Sequence, residues 1–551
     1  MAEEWDKIVD VLIAGSGAAA MSAAITAADR KLDVLLVEST DKWGGTTAIS
    51  GGGLWMPNNP LMRHAGAHDS LEEALAYMED VIGDVGPASS RERKLAFLRT
   101  APEVVRFLHR HGVRWARSKD YPDYYPDRPG GKIGRAIEVR PFDAKLLGPW
   151  AGRSRALDGL PVPVMTDDVW QLSRAWSSPD GFVRGARLVL RTLGGVATGK
   201  RLLGSGGALA CSLMYVVRNQ QTPVWLSSPL TELIMEDGRV TGAVVSREGR
   251  SLRVRARNGV ILGAGGFAHN PEWRQKHHGV PGWSSAPEGD LGTAIELGAR
   301  AGAALALMDD AWWGSALIGP DGHPNFVLWE RSMPFSIVVD TQGRRFTNES
   351  ASYIDFGHDL LALGKLPAWL VTDARHARRY LSAALLAGRQ RWYDAGLLLK
   401  AGSLGELAAG MEVDPAALRA TVERFNGFAG TGVDEDFGRG RTAYDRYYGD
   451  PRVKPNPNLG PLEKAPFYAM RVHPGDLGIG TKGGLLTDEH ARVLREDGTP
   501  IPGLYAAGNT TASVMGRTYP GPGSTIGPAV VFGHLAALHA AAGQSPGVIG
   551  R

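Results

Sequence analysis

The sequence contains very little cysteine, no strong charge imbalance and no long apolar run. Cys211 is the only cysteine among 551 residues, so one chain cannot build a disulfide framework, a thiolate metal site or an iron–sulfur cluster. Lys and Arg number 61 against 58 Asp and Glu, a net charge of +3. The two signs are interspersed, which argues against a nucleic-acid partner. No uninterrupted apolar stretch reaches the roughly 18 residues of a membrane span, although loose, one-sided membrane association stays open.

The length and composition predict a globular chain of two domains. At 551 residues the chain is longer than one hydrophobic core usually serves. A hydrophobic content of 43% and a charged content of 22% are ordinary for a globular protein. The N-terminus, "MAEEWDKIVD", is acidic and lacks the apolar core of a secretory signal. Together with the single cysteine, this favours a cytoplasmic location.

The N-terminal segment has the pattern of a βαβ dinucleotide-binding unit. "IVDVLIAG" is typical of a buried strand, an Ala-rich helix follows, and "LDVLLVE" predicts a second strand that ends in Glu38. Between them, "GSGAAA" supplies G-x-G-x-x-A at Gly15, Gly17 and Ala20. Gly15 permits a tight turn, and Gly17 lets the backbone approach a pyrophosphate beside the free N–H groups of the helix. Glu38 is placed to accept hydrogen bonds from ribose hydroxyls.

Two further segments favour FAD over NAD. The stretch "STDKWGGTTAISGGGLWMPNN" after Glu38 is too long and too rich in Gly, Thr and Ser for a simple connection. It suits a backbone that runs along a pyrophosphate and a flavin, with a flexible surface loop as the alternative. Near the other end, residues 516–528 precede an apolar run that predicts a buried helix, with Ser524 or Thr525 as its N-cap. Such a helix would stabilise negative charge on the reduced flavin.

The chain between these segments predicts an α/β fold with a discontinuous cofactor domain. Residues 222–270 predict strand, hairpin and strand. We expect a Rossmann-like FAD-binding domain formed by residues 1–285 and 475–551, with an α+β catalytic or capping domain inserted at 286–474. Within the insert, "SIVVDTQGRRF" predicts a hairpin and "DPAALRATVERFNGFAG" an amphipathic helix. Residues 134–205 have no purpose that the sequence explains.

Several motifs resemble those of one flavoprotein group. "GSGAAA", "ESTDKWGGTTAISGGG", "ILGAGGF", "GRRFTNES" and "GLYAAGN" resemble the flavoproteins related to succinate dehydrogenase and fumarate reductase. "YPDYYP", "NESASY" and "GRTYPGPGSTIGP" resemble, within that group, the 3-ketosteroid Δ1-dehydrogenases. The resemblance covers essentially the whole chain. It implies an FAD-dependent enzyme that desaturates the C1–C2 bond of 3-ketosteroids in steroid degradation, with a quinone or an artificial dye as electron acceptor.

The sequence departs from the dicarboxylate enzymes of the group at two places. Those enzymes have an "HTMGG"-like segment whose histidine binds a substrate carboxylate, whereas this chain has "GTKGG" at residues 480–484. Succinate dehydrogenases attach FAD to a histidine of the Gly-rich stretch, but residues 44–59 contain no histidine. We therefore expect FAD to be bound non-covalently.

The resemblance also implies roles for four catalytic residues. The Tyr519 hydroxyl and the Gly523 backbone N–H would bind the C3 ketone oxygen, which makes the C2 proton acidic. Tyr353 would take that proton while a hydride leaves C1 for flavin N5. Tyr124 would donate a hydrogen bond to Tyr353 and help it ionise. For each tyrosine the alternative is a buried aromatic ring with a satisfied hydroxyl.

A larger set of residues is expected to contact FAD. The set comprises Gly15, Gly17, Ala18, Ala19, Glu38, Ser39, Gly44, Gly45, Thr46, Thr47, Gly51, Gly52, Pro229, Leu230, Ala264, Gly265, Gly508, Asn509, Ser524, Thr525 and Ile526. No spacing of metal ligands occurs, so no metal is expected.

Some assignments stay open at this level. Tyr121 and Tyr125 compete with Tyr124 for its role, and Arg345 with Glu349 is predicted to form a structural ion pair. Asp476 and Lys482 are possible charges at the rim of the site. Four aromatic residues of the insert could either line an apolar slot for a flat steroid or pack in the core: Trp312, Trp313, Trp329 and Phe335. The competing functions are a 3-ketosteroid Δ4-(5α)-dehydrogenase, another fumarate-reductase-like flavin oxidoreductase, and a flavin-bearing redox protein without turnover.

Overall fold

A computed structural model describes residues 4–158, 162–176, 178–280, 283–382, 388–476 and 479–543. The strands, in chain order, are β1 Lys7–Ala14, β2 Val34–Val37, β3 Leu54–Trp55, β4 Trp115–Arg117, β5 Ala136–Val139, β6 Phe142–Asp143, β7 Leu202–Leu203, β8 Val224–Trp225, β9 Leu230–Glu236, β10 Arg239–Arg247, β11 Arg250–Leu262, β12 Leu305–Ala306, β13 Gly314–Ile318, β14 Pro324–Phe326, β15 Ser336–Val339, β16 Ala368–Thr372, β17 Leu398–Ala401, β18 Phe467–Gly475, β19 Gly484–Leu485, β20 Arg492–Leu494 and β21 Pro500–Ala506.

The α-helices are α1 Ala18–Asp29, α2 Pro60–His64, α3 Leu71–Ile82, α4 Arg91–Arg110, α5 Thr166–Leu172, α6 Pro179–Ala197, α7 Ser205–Asn219, α8 Pro271–His278, α9 Thr293–Arg300, α10 Trp329–Ser332, α11 Tyr353–Ala362, α12 Ala374–Arg379, α13 Arg389–Asp394, α14 Leu404–Met411, α15 Pro415–Thr431, α16 Ala443–Tyr447 and α17 Ile526–Ala542. Short 3₁₀ segments are Thr46–Ile49, Pro87–Ser89, Ala144–Arg153, Arg155–Leu157 and Gly508–Thr510.

The largest sheet has eight strands and confirms the predicted α/β class. Its main order is β20-β21-β11-β1-β2-β8, and β9 and β10 extend it as an antiparallel hairpin on β11. The strands from β21 to β8 run parallel. The turns expected at Asp237 and Glu248 lie between β9, β10 and β11, and both residues have positive φ.

The predicted βαβ unit is β1, α1 and β2. Residues 9–14 of β1 are all buried, as expected for a strand covered on both faces. Seven of the twelve residues of α1 are alanine and ten are buried, so the helix lies close to α17, where the Ser22 hydroxyl donates to the Val530 carbonyl at 2.8 Å. The first and last segments of the chain therefore meet on one face of the sheet.

The second sheet has six strands, in the order β14-β13-β18-β16-β15 with β17 also paired to β18. The amphipathic helix expected near residue 415 is α15, capped by the Asp414 carboxylate. The hairpin expected at "SIVVDTQGRRF" is wrong. Strand β15 pairs with β16 instead, and the Asp340 carboxylate accepts the N–H groups of Gln342 and Arg344 to close a turn.

The two sheets draw on different parts of the chain. Strands of the larger sheet lie within residues 7–262 and 492–506, and those of the smaller sheet within 314–475. The domain boundaries at 285 and 475 stay a prediction. Among the described residues, none of the helices combines the length and the apolar character that crossing a membrane needs.

Candidate active site

A cavity of about 740 Å³ opens where the parallel strands of the large sheet end. Ala14 at the end of β1, Glu38 after β2, Gly263 after β11 and Ala507 after β21 all line it. The carboxyl ends of parallel strands are where α/β sheets bind ligands. The cavity therefore lies where the sequence motifs place a dinucleotide.

The part of the cavity wall formed by the turn between β1 and α1 suits a pyrophosphate. Gly15 has a φ of 100°, and a Cβ there would lie 2.3 Å from the Gly263 carbonyl oxygen, so only glycine fits. Helix α1 begins after Gly17, which has no side chain to cap it, and the Ala18 N–H donates to the Thr47 hydroxyl at 3.0 Å. Gly17, Ala18 and Ala19 line the cavity, so the positive end of the helix dipole lies at its wall, an arrangement that binds anions.

Glu38 is held in place by its neighbours. Its carboxylate accepts from the Ser16 hydroxyl at 2.5 Å and from both the N–H and the hydroxyl of Thr40 at 3.0 Å. The side chain is nearly buried yet lines the cavity. Its orientation is therefore fixed beside the phosphate-binding turn, the position of a ribose-binding acid.

Most residues expected to contact FAD line this one cavity. The exceptions are Gly44, whose N–H donates to the Ser16 hydroxyl at 3.0 Å, and Ser524. The Ser524 hydroxyl instead accepts from the Gly521 N–H at 3.0 Å and closes the turn before α17. Thr525 does occupy the N-cap position of α17, but its side chain makes no cap hydrogen bond. The Thr525 hydroxyl donates instead to the Tyr519 hydroxyl at 3.2 Å, so the predicted N-cap residue is Thr525 rather than Ser524, without a side-chain cap bond.

Asp290 is a cavity residue that the sequence analysis missed. It is 6% exposed, and burial together with the charge of Asp476 raises its pKa to about 7. Its Oδ1 atom has no hydrogen-bond partner within the described part of the chain. The only clue in the sequence is its place in "EGDLGT" before α9. A buried carboxylate oxygen that lacks a partner fits the hydroxyl of a bound cofactor.

Three tyrosines from distant segments converge at the other end of the cavity. Tyr124 belongs to the loop after β4, Tyr353 begins α11, and Tyr519 belongs to the loop before α17. Their ring centroids lie 5.4 Å apart for Tyr124 and Tyr353, and 5.2 Å apart for Tyr124 and Tyr519. The Tyr124 N–H donates to the Pro520 carbonyl at 2.9 Å and ties two of these segments together.

The hydroxyls of these tyrosines form a short chain of hydrogen bonds. The Tyr353 hydroxyl is hydrogen-bonded to Tyr124 and to Tyr519, and its ring lies against both of theirs. Burial raises the pKa of Tyr124 and of Tyr353 well above the ordinary tyrosine value. Burial also raises the pKa of Tyr519, while the Thr525 hydroxyl, Tyr353 and the N–H groups of Gly523 and Thr525 oppose that rise. Tyr519 is thus the phenol whose oxygen is best supplied with donors.

Gly523 places its N–H beside Tyr519 because of its unusual backbone. Its φ is 93°, and a Cβ would lie 2.3 Å from the Gly53 carbonyl oxygen. Its own carbonyl accepts from the Trp55 N–H at 3.1 Å, which fixes the turn against β3. The N–H and the Tyr519 hydroxyl therefore reach the same region of the cavity.

The two alternatives to Tyr124 have other partners. The Tyr125 hydroxyl donates to Asp355 at 2.8 Å and is not part of the cavity wall. Tyr121 lines the cavity, but its hydroxyl bonds to that of Tyr448. Tyr124 is thus the member of this motif that bonds to Tyr353.

The charges predicted at the rim of the site are buried instead. Lys482 lies 3.2 Å from Asp310, and Asp476 lies 3.2 Å from Arg274, all four side chains at most 2% exposed. Both are structural ion pairs, because their residues are buried and do not line the cavity.

The predicted pair of Arg345 and Glu349 is confirmed at 2.7 Å, and Asp434 and Arg439 complete a buried network. Four aromatic residues were predicted either to line a substrate slot or to pack in the core, and of these Trp329 lines the cavity. Trp312, Trp313 and Phe335 are buried in hydrophobic clusters.

Comparison with known proteins agrees with this geometry. The family model described as FAD binding domain matches residues 10–526. A 3-oxosteroid 1-dehydrogenase of Mycolicibacterium smegmatis is 44% identical, and the match covers 97% of this chain and 97% of that protein. A solved structure of the 3-ketosteroid Δ1-dehydrogenase of Sterolibacterium denitrificans, in complex with 1,4-androstadiene-3,17-dione, is 38% identical with a TM-score of 0.91. That match covers 98% of this chain and 100% of the other.

This chain is also similar to a relative whose name gives a different substrate. The 4-oxocyclohex-2-ene-1-carboxylate 5-dehydrogenase of Sinomonas cyclohexanicum is 37% identical, with 96% of this chain and 92% of that protein covered. Its name describes a cyclic ketone that carries a carboxylate, so the charge of the cavity wall bears on the choice between substrates.

Proposed function

We propose a function for this chain from its family: it belongs to the FAD binding domain family and to the family of 3-oxosteroid 1-dehydrogenases. The proposed reaction is the FAD-dependent 1,2-desaturation of ring A of 3-ketosteroids. The observation that carries the proposal is the meeting of Tyr353, Tyr519 and the Gly523 N–H at one end of the cavity. Desaturation beside a ketone needs a base at C2 and donors at the C3 oxygen, and these residues supply both.

The clamp on the ketone is made by Tyr519 and Gly523. Their O–H and N–H groups donate to the C3 oxygen and stabilise the charge that develops there as C2 loses its proton. Tyr353 takes that proton. Tyr124 donates a hydrogen bond to Tyr353, which favours its ionised form. When bound, FAD supplies the acceptor for the hydride that leaves C1.

The cofactor site is proposed to hold FAD without a covalent bond. Glu38 accepts from the ribose hydroxyls, and the N-terminus of α1 faces the pyrophosphate. Asp290, whose Oδ1 lacks a partner in the described part of the chain, accepts from a further cofactor hydroxyl. The Gly-rich stretch at residues 44–59 offers no histidine for attachment.

The charge of the cavity supports a neutral substrate. Arg155 is the one lysine or arginine among the described residues that line it. The Arg155 guanidinium donates to the Thr40 hydroxyl at 2.7 Å, beside Glu38, and thus belongs to the cofactor end. The catalytic end is lined instead by aromatic and aliphatic side chains, including Phe326, Leu328 and Trp329. A neutral, flat steroid suits this wall better than a cyclohexene carboxylate.

The electron acceptor is proposed to be a quinone, for which an artificial dye can substitute. A quinone resides in a lipid bilayer, so loose contact with a membrane surface belongs to the same proposal. A cytoplasmic location stays a prediction.

Anaerobic mixing of the flavin-loaded protein with 4-androstene-3,17-dione tests the proposal. We expect the oxidised flavin absorbance to bleach and a 1,4-diene to form. Formation of a Δ4 product from a 5α-saturated 3-ketosteroid, without a 1,4-diene, would instead support the Δ4-(5α)-dehydrogenase. Reduction by 4-oxocyclohexanecarboxylate but by no 3-ketosteroid would overturn the steroid assignment.

A further inference from the structure

Tyr77 lies outside the cavity but contacts two of the loops that carry the catalytic tyrosines. It belongs to α3, its side chain is fully buried, and it does not line the cavity. The Tyr77 hydroxyl donates to the Pro520 carbonyl at 2.6 Å and accepts from the Tyr125 N–H at 3.2 Å. One hydroxyl thus joins the residue that follows Tyr124 to the residue that follows Tyr519.

The Pro520 carbonyl is the point where these contacts meet. It accepts from the Tyr77 hydroxyl and, at 2.9 Å, from the Tyr124 N–H. Burial raises the pKa of Tyr77 well above its ordinary value, so the hydroxyl keeps its proton and stays a donor. A carbonyl oxygen has two lone pairs, and here two donors meet them. The carbonyl is therefore held by two bonds directly beside Tyr519.

A buried cluster of charges fixes the ring of Tyr77 and its surroundings. The Arg135 guanidinium lies over the Tyr77 ring, 5.4 Å from its centroid. It donates to Asp69 and to Asp123, each at 2.7 Å, and all three charged side chains are at most 1% exposed. Asp123 also accepts from the Trp55 indole at 2.7 Å. Charge-assisted bonds of this kind are short and strong, so they hold the rings in one arrangement.

Trp55 contacts the same loop further along the chain. Its backbone N–H donates to the Gly523 carbonyl at 3.1 Å. Gly521 lies so close that a Cβ there would be 2.4 Å from the Trp55 indole and 3.0 Å from the Asp123 carboxylate. The loop that carries the ketone clamp is therefore held at Pro520, Gly521 and Gly523.

We propose that Tyr77 is a positioning residue, whose hydroxyl sets the ketone clamp of Tyr519 and Gly523 in place relative to Tyr124. This step rests on the proposed function. Because Tyr77 does not line the cavity, it acts through the Pro520 carbonyl. Donors to a developing oxyanion are effective only when they are held where that oxygen will lie. A misplacement of about 1 Å can lower a rate about 10²-fold, so the Tyr77 bond contributes to the rate from outside the cavity.

Tyr77→Phe in the flavin-loaded full chain tests the proposal, because it removes the hydroxyl and keeps the ring against Arg135. We expect the limiting rate of flavin reduction by 4-androstene-3,17-dione to fall about 10- to 100-fold in stopped flow. The Kd of the steroid should change much less, because the clamp acts mainly on charge that develops in the transition state. Tyr505→Phe, which loses a buried hydroxyl bonded to His539, is the matched control. A wild-type rate in Tyr77→Phe, or an equal loss in Tyr505→Phe, would overturn the proposal.

Hydrogen–deuterium exchange tests the same bond without relying on the reaction. The peptide that spans residues 516–527 should exchange faster in Tyr77→Phe than in wild type or Tyr505→Phe, because its backbone loses an anchor. Unchanged exchange would show that Tyr77 does not hold the loop. If no 3-ketosteroid reduces the wild-type flavin, the proposed function fails, and the exchange result still decides whether Tyr77 holds the loop.

Coupling to Tyr519 separates positioning from a general loss of stability. If Tyr77 acts through the clamp, its effect on the rate should shrink once one clamp donor is gone. Tyr77→Phe should therefore lower the rate of flavin reduction less in a Tyr519→Phe background than in wild type. The same fold-loss in both backgrounds would place the action of Tyr77 elsewhere and contradict the proposal.

Discussion

Tyr353 and Tyr519 face each other with ring centroids 5.1 Å apart, and their hydroxyls are hydrogen-bonded to each other. This hydrogen bond lowers the pKa of Tyr519 and raises that of Tyr353. Burial acts on both phenols in the same upward direction. Without a steroid these contacts favour an ionised oxygen at Tyr519 over one at Tyr353, the reverse of the proposed roles of ketone donor and base, so the variants of both residues are the decisive test of those roles.

Tyr519→Phe should remove one of the two donors to the ketone and leave FAD bound. Loss of one donor of this kind lowers the rate by about 10²–10³. Stopped-flow flavin reduction by 4-androstene-3,17-dione measures the change. Tyr505→Phe is the matched control, because that buried hydroxyl bonds to His539 at 3.0 Å, away from the cavity. Near wild-type reduction by Tyr519→Phe would remove Tyr519 from the site.

Glu38→Ala should weaken FAD retention without changing chemistry in flavin-saturated samples. Hydrogen bonds to a charged acceptor contribute about 1.5–3 kcal/mol, so the Kd of FAD should rise about 10- to 100-fold. Flavin content after desalting gives the measurement. Glu236→Ala, at the exposed end of β9, serves as the control. Equal flavin content in Glu38→Ala and wild type would show that the ribose-acid assignment is wrong.

Asp290→Asn should abolish a pH dependence of FAD binding. Burial and Asp476 raise the pKa of Asp290 to about 7, and a cofactor hydroxyl that donates to the carboxylate would lower it in the complex. FAD binding should therefore be strongest above pH 7 and weaken as the pH falls through that value. Titration of FAD into the apoprotein between pH 5.5 and 8.5, a range that brackets the Asp290 pKa of about 7, measures this trend. An unchanged trend in Asp290→Asn would exclude Asp290 as its source.

Glu349→Gln should lower the free energy of unfolding and leave the rate of flavin reduction unchanged. The change leaves Arg345 and Arg439 buried beside a neutral amide, and breaking a buried ion pair costs about 3–5 kcal/mol. Denaturant unfolding should show the loss, while the folded fraction reduces its flavin at the wild-type rate. Asp436→Asn breaks an exposed pair with Arg424 and should shift the transition far less. Loss of flavin reduction in folded Glu349→Gln would point to proton transfer instead.

The local parts of the fold could be predicted from the sequence. The unit of β1, α1 and β2 depends on a glycine turn between apolar runs, so neighbours in sequence decide it. The region of Tyr519 and Gly523 was predictable because its glycines and prolines specify a loop before an apolar helix. The hairpin at residues 336–346 failed because β16, more than twenty residues later, is the better partner for β15.

Other parts depend on contacts that no short pattern contains. Asp290 enters the cavity only because the turn before α9 folds beneath the end of β11. The orientation of α6, which leaves Leu190 68% and Leu193 58% exposed, was equally hidden, because periodicity identifies an apolar face but does not say whether that face points inward. Asp168, a single residue in the preceding helix, fixes it by holding Arg184 and Arg191.

Tyr353→Phe should abolish flavin reduction by steroid while steroid binding, seen as a perturbed flavin spectrum, persists. The ketone donors and the apolar wall remain, but C2 has no base. Tyr124→Phe should retain measurable reduction, because it removes one hydrogen bond to a charged oxygen, worth about 1.5–3 kcal/mol or 10- to 100-fold in rate. Since burial raises the pKa of Tyr353 well above its ordinary value, the reactive tyrosinate is scarce at neutral pH. The wild-type rate should therefore rise with pH, about tenfold per unit below that pKa, and Tyr353→Phe should lose this dependence. A Tyr353→Phe enzyme that reduces its flavin faster than Tyr124→Phe would reverse the two roles, because the base must be the residue whose loss is more severe.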